Sequence, residues 1–280
     1  MEEPLLTVAR SLATARRVVV FSGAGISAES GISTFRQPEV GVWANKAGLA
    51  YFGTPFGWWL SPKLAWKTYL KYFRNPIAAA QPNDGHVALA ELEAAHLKRS
   101  MKNRFDIVTQ NVDGLHQRGG SRNDHVYELH GTVYRHKCSS NHHVHEYVLD
   151  PSNLSQGYSA AEDEFFSAKN PPTCSQCSSF LRPDAVLFTE GLPAAAWDAA
   201  DSCIRKLDEG DVMLVVGTSG LVQPAASLAS RPRPRYKRFE INPDPSALTS
   251  LMDLHIPMPS GEALPQIVQL YHEQLQAGAE

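Results

Sequence analysis

The chain has 280 residues, 43% apolar and 20% charged, with a formal net charge of −3. That length and composition suffice for one large domain, or a large and a small one, and argue against disorder and against nucleic-acid binding driven by overall charge. Four cysteines are too few for a disulfide scaffold. No apolar run approaches the ~18 residues of a membrane span. The acidic start Met1-Glu2-Glu3-Pro4 reads as neither a secretory signal nor a transit peptide. The expectation is a soluble, monomeric protein of a reducing compartment, cytoplasmic or nuclear with a mitochondrial one left open, and without a membrane or direct nucleic-acid partner.

Leu5, Val8, Leu12 and Ala15 recur at helical spacing ahead of Arg16-Arg17 and predict an opening helix. Val18-Val19-Val20-Phe21 then closes in Ser22-Gly23-Ala24-Gly25, as a buried parallel strand with a ligand-facing loop does. Residues 43–80, rich in Trp, Tyr and Phe, break the rhythm. Asn83 or Asp84 is a candidate cap for a helix carrying Val87, Leu89, Leu92 and Ala95. Phe105–Thr109 predicts a strand ending in Gln110-Asn111. Residues 133–180 hold three of the four cysteines and several histidines, a second break. Val212–Val216 ends in Gly217-Thr218-Ser219, and Phe239-Glu240-Ile241 ends in Asn242. Strands alternating with helices predict an α/β fold: a Rossmann-like, doubly wound parallel sheet over 1–42, 101–132 and 181–280. Segments 43–100 and 133–180 would form a smaller inserted domain, with a helical module and a zinc-ribbon-like module.

Three stretches carry chemistry. The glycines of Gly23-Ala24-Gly25-Ile26-Ser27, at a strand–helix turn, let a backbone approach a pyrophosphate. No third glycine follows at the dehydrogenase spacing, which disfavours a Rossmann oxidoreductase. Thr109-Gln110-Asn111-Val112-Asp113 puts amides and one carboxylate at the sheet's carboxyl edge, suited to a carboxamide or to ribose hydroxyls. Glu128-Leu129-His130-Gly131 adds an imidazole that can act as a base near neutral pH.

Taken in order, Gly-Ala-Gly-Ile-Ser, Ser-Gly-Ile, Phe35-Arg36, Thr-Gln-Asn-Val-Asp, Leu-His-Gly, Cys-x-x-Cys, Leu181-Arg182-Pro183-Asp184 and Gly-Thr-Ser with Pro224-Ala225-Ala226 resemble the sirtuin (Sir2) family of NAD-dependent protein deacylases. The resemblance implies that Gly23, Ala24, Gly25 and Ser27 line the cofactor's phosphates. Phe35 and Arg36 would cover the nicotinamide ribose, and Gln110, Asn111 and Asp113 would hold ribose and nicotinamide. Gly217, Thr218, Ser219 and Asn242 would meet the adenosine half. His130 would be the catalytic base, with Asn111 and Asp113 beside it. The implied reaction transfers the acyl group of an acyl-lysine protein or peptide to ADP-ribose, releasing nicotinamide and 2′-O-acyl-ADP-ribose. Mono-ADP-ribosyl transfer and a non-catalytic NAD-sensing scaffold are the competing readings.

Ala28-Glu29-Ser30 with Thr34 resembles class III, the desuccinylase type, which pairs a Tyr with an Arg three residues on. Here Trp66-Lys67-Thr68-Tyr69 matches, but Tyr72 occupies the Arg position and Arg74 lies about 140° off on an α-helix. One extra residue precedes Gly85-His86 and leaves the register open: inside the helix it would bring Arg74 toward the Arg position, whereas near Asn75-Pro76, where helix breaking suggests it, it would not. Tyr69 and Phe188 are the candidate substrate contacts. Cys138, Cys174 and Cys177 are expected to hold a structural zinc. Asn141 stands where a fourth Cys would, leaving His142, His143 or His145 to complete the site. Phe188-Thr189-Glu190 puts a β-branched residue where the family's substrate strand has Gly.

Overall fold

The computed structural model describes residues 2–33, 53–140, 144–145, 171–232 and 235–278. In chain order these form α1 (Glu2–Thr14), β1 (Arg17–Ser22), α2 (Pro55–Leu60), α3 (Pro62–Tyr69), a π turn (Leu70–Arg74), α4 (Asn75–Ala79), α5 (Asp84–Arg99), β2 (Arg104–Thr109) and α6 (Leu115–Arg118). There follow β3 (Val126–Glu128), β4 (Gly131–Cys138), β5 (Val144–His145), β6 (Leu181–Ala185), α7 (Ala194–Arg205), β7 (Val212–Val216), α8 (Ala226–Ala229), β8 (Lys237–Ile241), β9 (Leu254–Ile256) and α9 (Ser260–Ala277).

Six strands pair in parallel in the order β3-β2-β1-β7-β8-β9. Their alternating side chains serve two cores. Val18, Val20, Ile107 and Leu214 pack with Leu12, Leu89, Leu92 and Ile267 of α1, α5 and α9. Val19, Phe21, Val108 and Val215 pack with Ile204 and Leu228 on the other face. Burial on both faces explains why these strands read as unbroken apolar runs. Within α5, Leu89 and Leu92 are fully buried, but Val87 is 50% exposed, two positions from Leu89 and on the opposite side of the helix. Asn83 is the cap of α5: its side chain accepts from Gly85 N–H at 2.9 Å.

A second, antiparallel sheet has the order β5-β4-β6. Trp58, Trp66 and Tyr69 of α2 and α3 share its core with Cys138, Cys174 and Leu181. Trp66 packs edge-on to Trp58 and Tyr69, and its Nε1–H donates to the Leu181 carbonyl at 2.7 Å. The helix break suggested at Asn75-Pro76 does not occur: the chain stays helical through the π turn, where Asn75 N–H reaches back five residues to the Leu70 carbonyl. Pro76 has no N–H and its ring rejects a carbonyl four residues back. The wider turn accommodates it as an early residue of α4 and does not end the helix.

Candidate active site

The parallel sheet reverses its winding between β1 and β7, and the crevice at that switch point is where doubly wound folds bind ligands. The loops leaving these two strands touch backbone to backbone. Gly23 N–H donates to Val216 O at 3.0 Å and Gly25 N–H to Gly217 O at 2.7 Å. A Cβ on Gly25 would lie 2.6 Å from Gly217 O, and one on Gly217 (φ +58°) would lie 2.3 Å from Ile26 N. These glycines therefore first allow the two loops to close on each other. The joined loops then form the floor of the crevice.

The first loop is held from two further directions. Asn83 Nδ2 donates to Ile26 O at 2.7 Å and Ser30 Oγ at 3.0 Å. Glu29 accepts from Gly261 N–H at 2.8 Å, placing its charge at the N-terminus of α9. On the loop's inner side Ser27 Oγ donates to Asp113 Oδ2 at 2.7 Å and accepts from Asn111 Nδ2 at 3.1 Å. Asn111 Nδ2 also reaches Gly23 O at 3.2 Å, and Asp113 Oδ1 accepts from Leu115 N–H at 3.0 Å. Burial raises the Asp113 carboxyl above the usual carboxylate range, and its hydrogen bonds with Leu115 and Ser27 oppose that shift. Gln110 Nε2 donates to Thr218 Oγ1 at 3.0 Å, and Asn242 Nδ2 to Thr218 O at 3.0 Å, linking the ends of β2, β7 and β8.

His86 and His116 stand behind this layer, fully buried, with rings 5.2 Å apart. His116 Nε2 bonds to Ser22 Oγ at 2.8 Å. His86 Nδ1 accepts from Asn83 N–H, so its Nε2 carries the hydrogen aimed at Ser27 Oγ. Burial lowers both, His86 to about 2 and His116 to about 4, keeping both rings neutral.

His130 follows β3. Its Nδ1 lies 2.7 Å from the Gln110 carbonyl. A carbonyl only accepts, so Nδ1 bears the proton and Nε2 keeps its lone pair. Burial pulls the imidazole below its ordinary value, against the opposing pull of the Gln110 carbonyl. His130 lines a cleft of ≈ 370 Å³ together with Ser27, Gln110, Asn111 and Asp113. Much of the remaining lining is apolar and includes Tyr72, Phe73, Ile77, Val112 and Leu187.

Tyr69 and Phe188 both line this cleft. Tyr69 is 2% exposed and its hydroxyl donates to the Val133 carbonyl at 3.4 Å, so it contributes a ring face to the wall. Arg74 is 1% exposed, does not line the cleft, and lies close enough to His136 to help lower that imidazole to about 3, a shift caused first by burial.

Cys138, at the end of β4, meets Cys174 and Cys177. The three sulfurs lie within 4.8 Å of one another, with Cys138 Sγ and Cys177 Sγ 3.3 Å apart. A tight turn builds the pair: Ser178 N–H donates to Cys174 O at 2.8 Å and Gln176 N–H to Cys174 Sγ at 3.4 Å. Hydrogen bonds from Ser179, with Cys138 nearby, lower the Cys177 thiol to about 6. Three converging thiols in one turn-and-strand cradle fit three corners of a tetrahedral zinc site. Thr34, Phe35, Arg36, Asn141, His142 and His143 lie outside the described residues. His145 is described only as the β-partner of His136.

The expected site residues fall into two groups. Ala24, Ser27, Gln110, Asn111, Asp113, His130, Tyr69 and Phe188 line the cleft. Gly23, Gly25, Gly217, Thr218, Ser219 and Asn242 do not line it and lie on the adjoining loops at the ends of β1, β7 and β8. The supports Asn83, Glu29 and Glu190 carry no sequence signal that separates them from ordinary caps and surface acids. In the sequence Asn83 is a candidate cap only; the structure adds that it caps α5 reciprocally with His86.

A parallel sheet with two joined glycine loops at its switch point and a tautomer-fixed imidazole in the cleft defines a nucleotide-binding enzyme fold. A family model described as the Sir2 family matches residues 23–224. The chain is 42% identical over 265 residues to NAD-dependent protein deacylase 2 of Pyrobaculum aerophilum, covering 94% of each. It is 38% identical over 273 residues to the NAD-dependent protein deacylase of Pyrococcus abyssi, covering 97% of this chain and 100% of that one. Among solved structures, a mutant Sir2 homologue in complex with ADP-ribose is similar, with TM-score 0.78 and 33% identity, over 96% of this chain and 97% of that one. Sir2Af2 bound to a myristoylated histone peptide has TM-score 0.69 and 30% identity, over 99% and 100%. The protein belongs to the Sir2 family.

Proposed function

We propose that the protein is an NAD-dependent protein-lysine deacylase that releases nicotinamide and 2′-O-acyl-ADP-ribose. The observation that carries this reading is His130, its Nδ1–H fixed by Gln110 and its Nε2 free, in one cleft with Ser27, Asn111 and Asp113. A scaffold that only sensed a nucleotide would need no base held in one tautomer. Mono-ADP-ribosyl transfer needs none for acyl migration. Relatives named NAD-dependent protein deacylase support the same reading.

The residues present fit NAD+: the joined loops at Gly23, Gly25 and Gly217 leave no room for side chains, and the amides of Gln110 and Asn111 stand at the strand ends. Gly23, Ala24, Gly25 and Ser27 would hold its phosphates, Gln110, Asn111 and Asp113 its ribose and nicotinamide, and Gly217, Thr218, Ser219 and Asn242 its adenosine half. Bound NAD+ supplies an electrophilic ribose carbon once nicotinamide leaves. The chain's own contribution is to orient and to move a proton. Asn111 and Asp113 fix Ser27, and Ser27 in turn fixes the loop. His130 Nε2 accepts a proton from a hydroxyl presented in the cleft, and the Gln110 carbonyl stabilises the resulting imidazolium through Nδ1–H. Cys138, Cys174 and Cys177 would bind zinc, which would cross-link β4 to the turn before β6.

The acyl group falls against the apolar wall. With the Tyr69 hydroxyl bonded to Val133 and Arg74 outside the lining, the cleft favours neutral acyl chains over acidic ones. Mass spectrometry of nucleotide products, after incubation with NAD and matched acetyl-, succinyl- and long-chain acyl-lysine peptides, tests both points. O-acyl-ADP-ribose with the neutral peptides is expected. Unchanged NAD with every peptide, in protein shown to bind NAD, would refute the enzyme reading. Selective desuccinylation abolished by Arg74→Ala would refute the acyl assignment.

A further inference from the structure

Resting on the deacylase reading, we propose that Thr189 is a specificity-determining residue for the peptide carrying the acyl-lysine, held in place by a buried Arg182–Glu190 clamp. Leu187–Glu190 is a turn closed by Glu190 N–H donating to Leu187 O at 3.0 Å. Thr189 has φ +76°; among the described residues only Ser178 is another non-glycine with positive φ. Left-handed backbone at the third position of a turn favours Gly, and a β-branched residue is poorly suited to it.

The surroundings enforce this conformation from both sides. The Glu190 carboxylate accepts from Leu187 N–H at 3.0 Å and is bound by the guanidinium of Arg182, whose side chain is 4% exposed. Lys137 Nζ stands 3.9 Å from the same carboxylate. Phe188 N–H donates to Gly53 O at 2.7 Å, and Val186 N–H to the carbonyl of His130 at 2.8 Å. Backbone strain that the neighbouring structure over-determines in this way concentrates at functional sites. Here it stands on the cleft: Phe188 and Thr189 are exposed and line it together with His130.

The bond from Val186 to His130 fixes how far the turn lies from the imidazole. A lysine whose acyl group reaches His130 would thus carry its main chain along this exposed edge of the cleft, past Leu187–Glu190. With the N–H groups of Val186, Leu187, Phe188 and Glu190 already engaged, the turn presents the passing chain with the side chains of Phe188 and Thr189. A glycine there would leave room for a close approach. The branched Thr189 side chain removes that room, so residues flanking the acyl-lysine must be small.

The test uses fluorescent acyl-lysine peptides with Gly, Ala, Leu or Trp on both flanks. Kd and kcat/KM are measured for wild type, Thr189→Gly, Thr189→Ala and Glu190→Gln. The wild type should favour the Gly-flanked over the Trp-flanked peptide by about tenfold or more, the scale on which pocket sterics discriminate. Thr189→Gly should reduce that ratio to about threefold or less, and Thr189→Ala should fall between. Glu190→Gln, with Thr189 present but the clamp weakened, should also reduce it. Ratios unchanged in Thr189→Gly and Thr189→Ala would overturn the proposal, as would equal binding of all peptides, or of none, by the wild type. Peptides bound but never turned over would sink the deacylase reading alone, because the Kd ratios would still decide the role of Thr189.

Discussion

Gly217→Ala tests whether the two glycine loops are joined for steric reasons, and Gly210→Ala is its internal control. Both glycines have positive φ, +58° and +83°. Each substitution therefore meets the left-handed penalty of an L-residue, about 1–2 kcal/mol. They differ in what the new methyl group meets. At Gly210 there is nothing within 4 Å; at Gly217 it lies 2.3 Å from Ile26 N and 2.6 Å from the Gly25 carbonyl carbon. Both contacts are backbone, so the clash is relieved only by parting the loops, a further ~1–3 kcal/mol on the scale of overpacking. Gly217→Ala should thus destabilise by roughly 2–5 kcal/mol, and Gly210→Ala by about 1–2 kcal/mol. At ~2–4 °C per kcal/mol for a chain of this size, thermal denaturation resolves the difference. NAD affinity by calorimetry should fall for Gly217→Ala and hold for Gly210→Ala, since only the first displaces the crevice floor. Equal losses of stability, or a displaced Gly217 loop with NAD affinity intact, would refute the reasoning.

Four further outcomes follow from the structure. His130→Ala should lose deacylation while retaining the fold and NAD binding; full turnover by that variant would remove His130 from the mechanism. Because burial lowers the His130 imidazole, its base form persists below pH 6.5, so the acid limb of kcat/KM should have its midpoint under that value. A midpoint above it would contradict the assigned environment. His116 takes a proton near pH 6.5 when unfolded but only near 4 when folded. Its contribution to stability is complete above about 6.5 and declines as pH falls, by up to about 1.4 kcal/mol per pH unit. His116→Asn should flatten that part of the stability–pH curve, whatever its absolute stability, and an unchanged slope would exclude His116 as a source. Finally, metal analysis should find one zinc per chain, lost with Cys174→Ser. Chelation should lower the Tm of the wild type more than that of the variant, and metal-free protein with an unshifted Tm would refute a structural zinc.

The elements that were legible in the sequence are those whose burial is two-sided and whose loops are short. The β1, β2, β7 and β8 strands appear as apolar runs because helices cover both faces of the sheet. The edge strands β3 and β9 have three residues each, too few for a period to show. In the inserted region the residues that pack together come from segments more than 100 positions apart: Trp66 bonds to Leu181 across 115 residues. Local patterning cannot announce that contact. The aromatic stretch and the cysteine stretch, expected to form one smaller inserted domain, contribute residues to one core, but no local pattern names which of them touch.

The same distinction separates the legible from the hidden parts of the site. Ser27, Asn111, Asp113 and His130 were readable because each belongs to a short stretch at a strand end, and strand ends are where a parallel sheet presents functional groups. Their supports are set by distance in space. Glu29 is fixed by the start of a helix 232 residues away in sequence, and Glu190, in the turn after β6, by Arg182 of that strand. The π turn is the clearest case. From the sequence, Asn75-Pro76 argued that the helix ends there, since proline rejects an ordinary turn. Widening the turn by one residue meets the same steric demand and keeps the helix running. Two backbone solutions satisfy one local rule, and the packing of Tyr69, Trp66 and Ile77 into the module's core selects between them. Arg74, at the end of the π turn, is buried and does not line the cleft. The polarity of the acyl pocket thus depends on a packing choice that the residue types alone leave open.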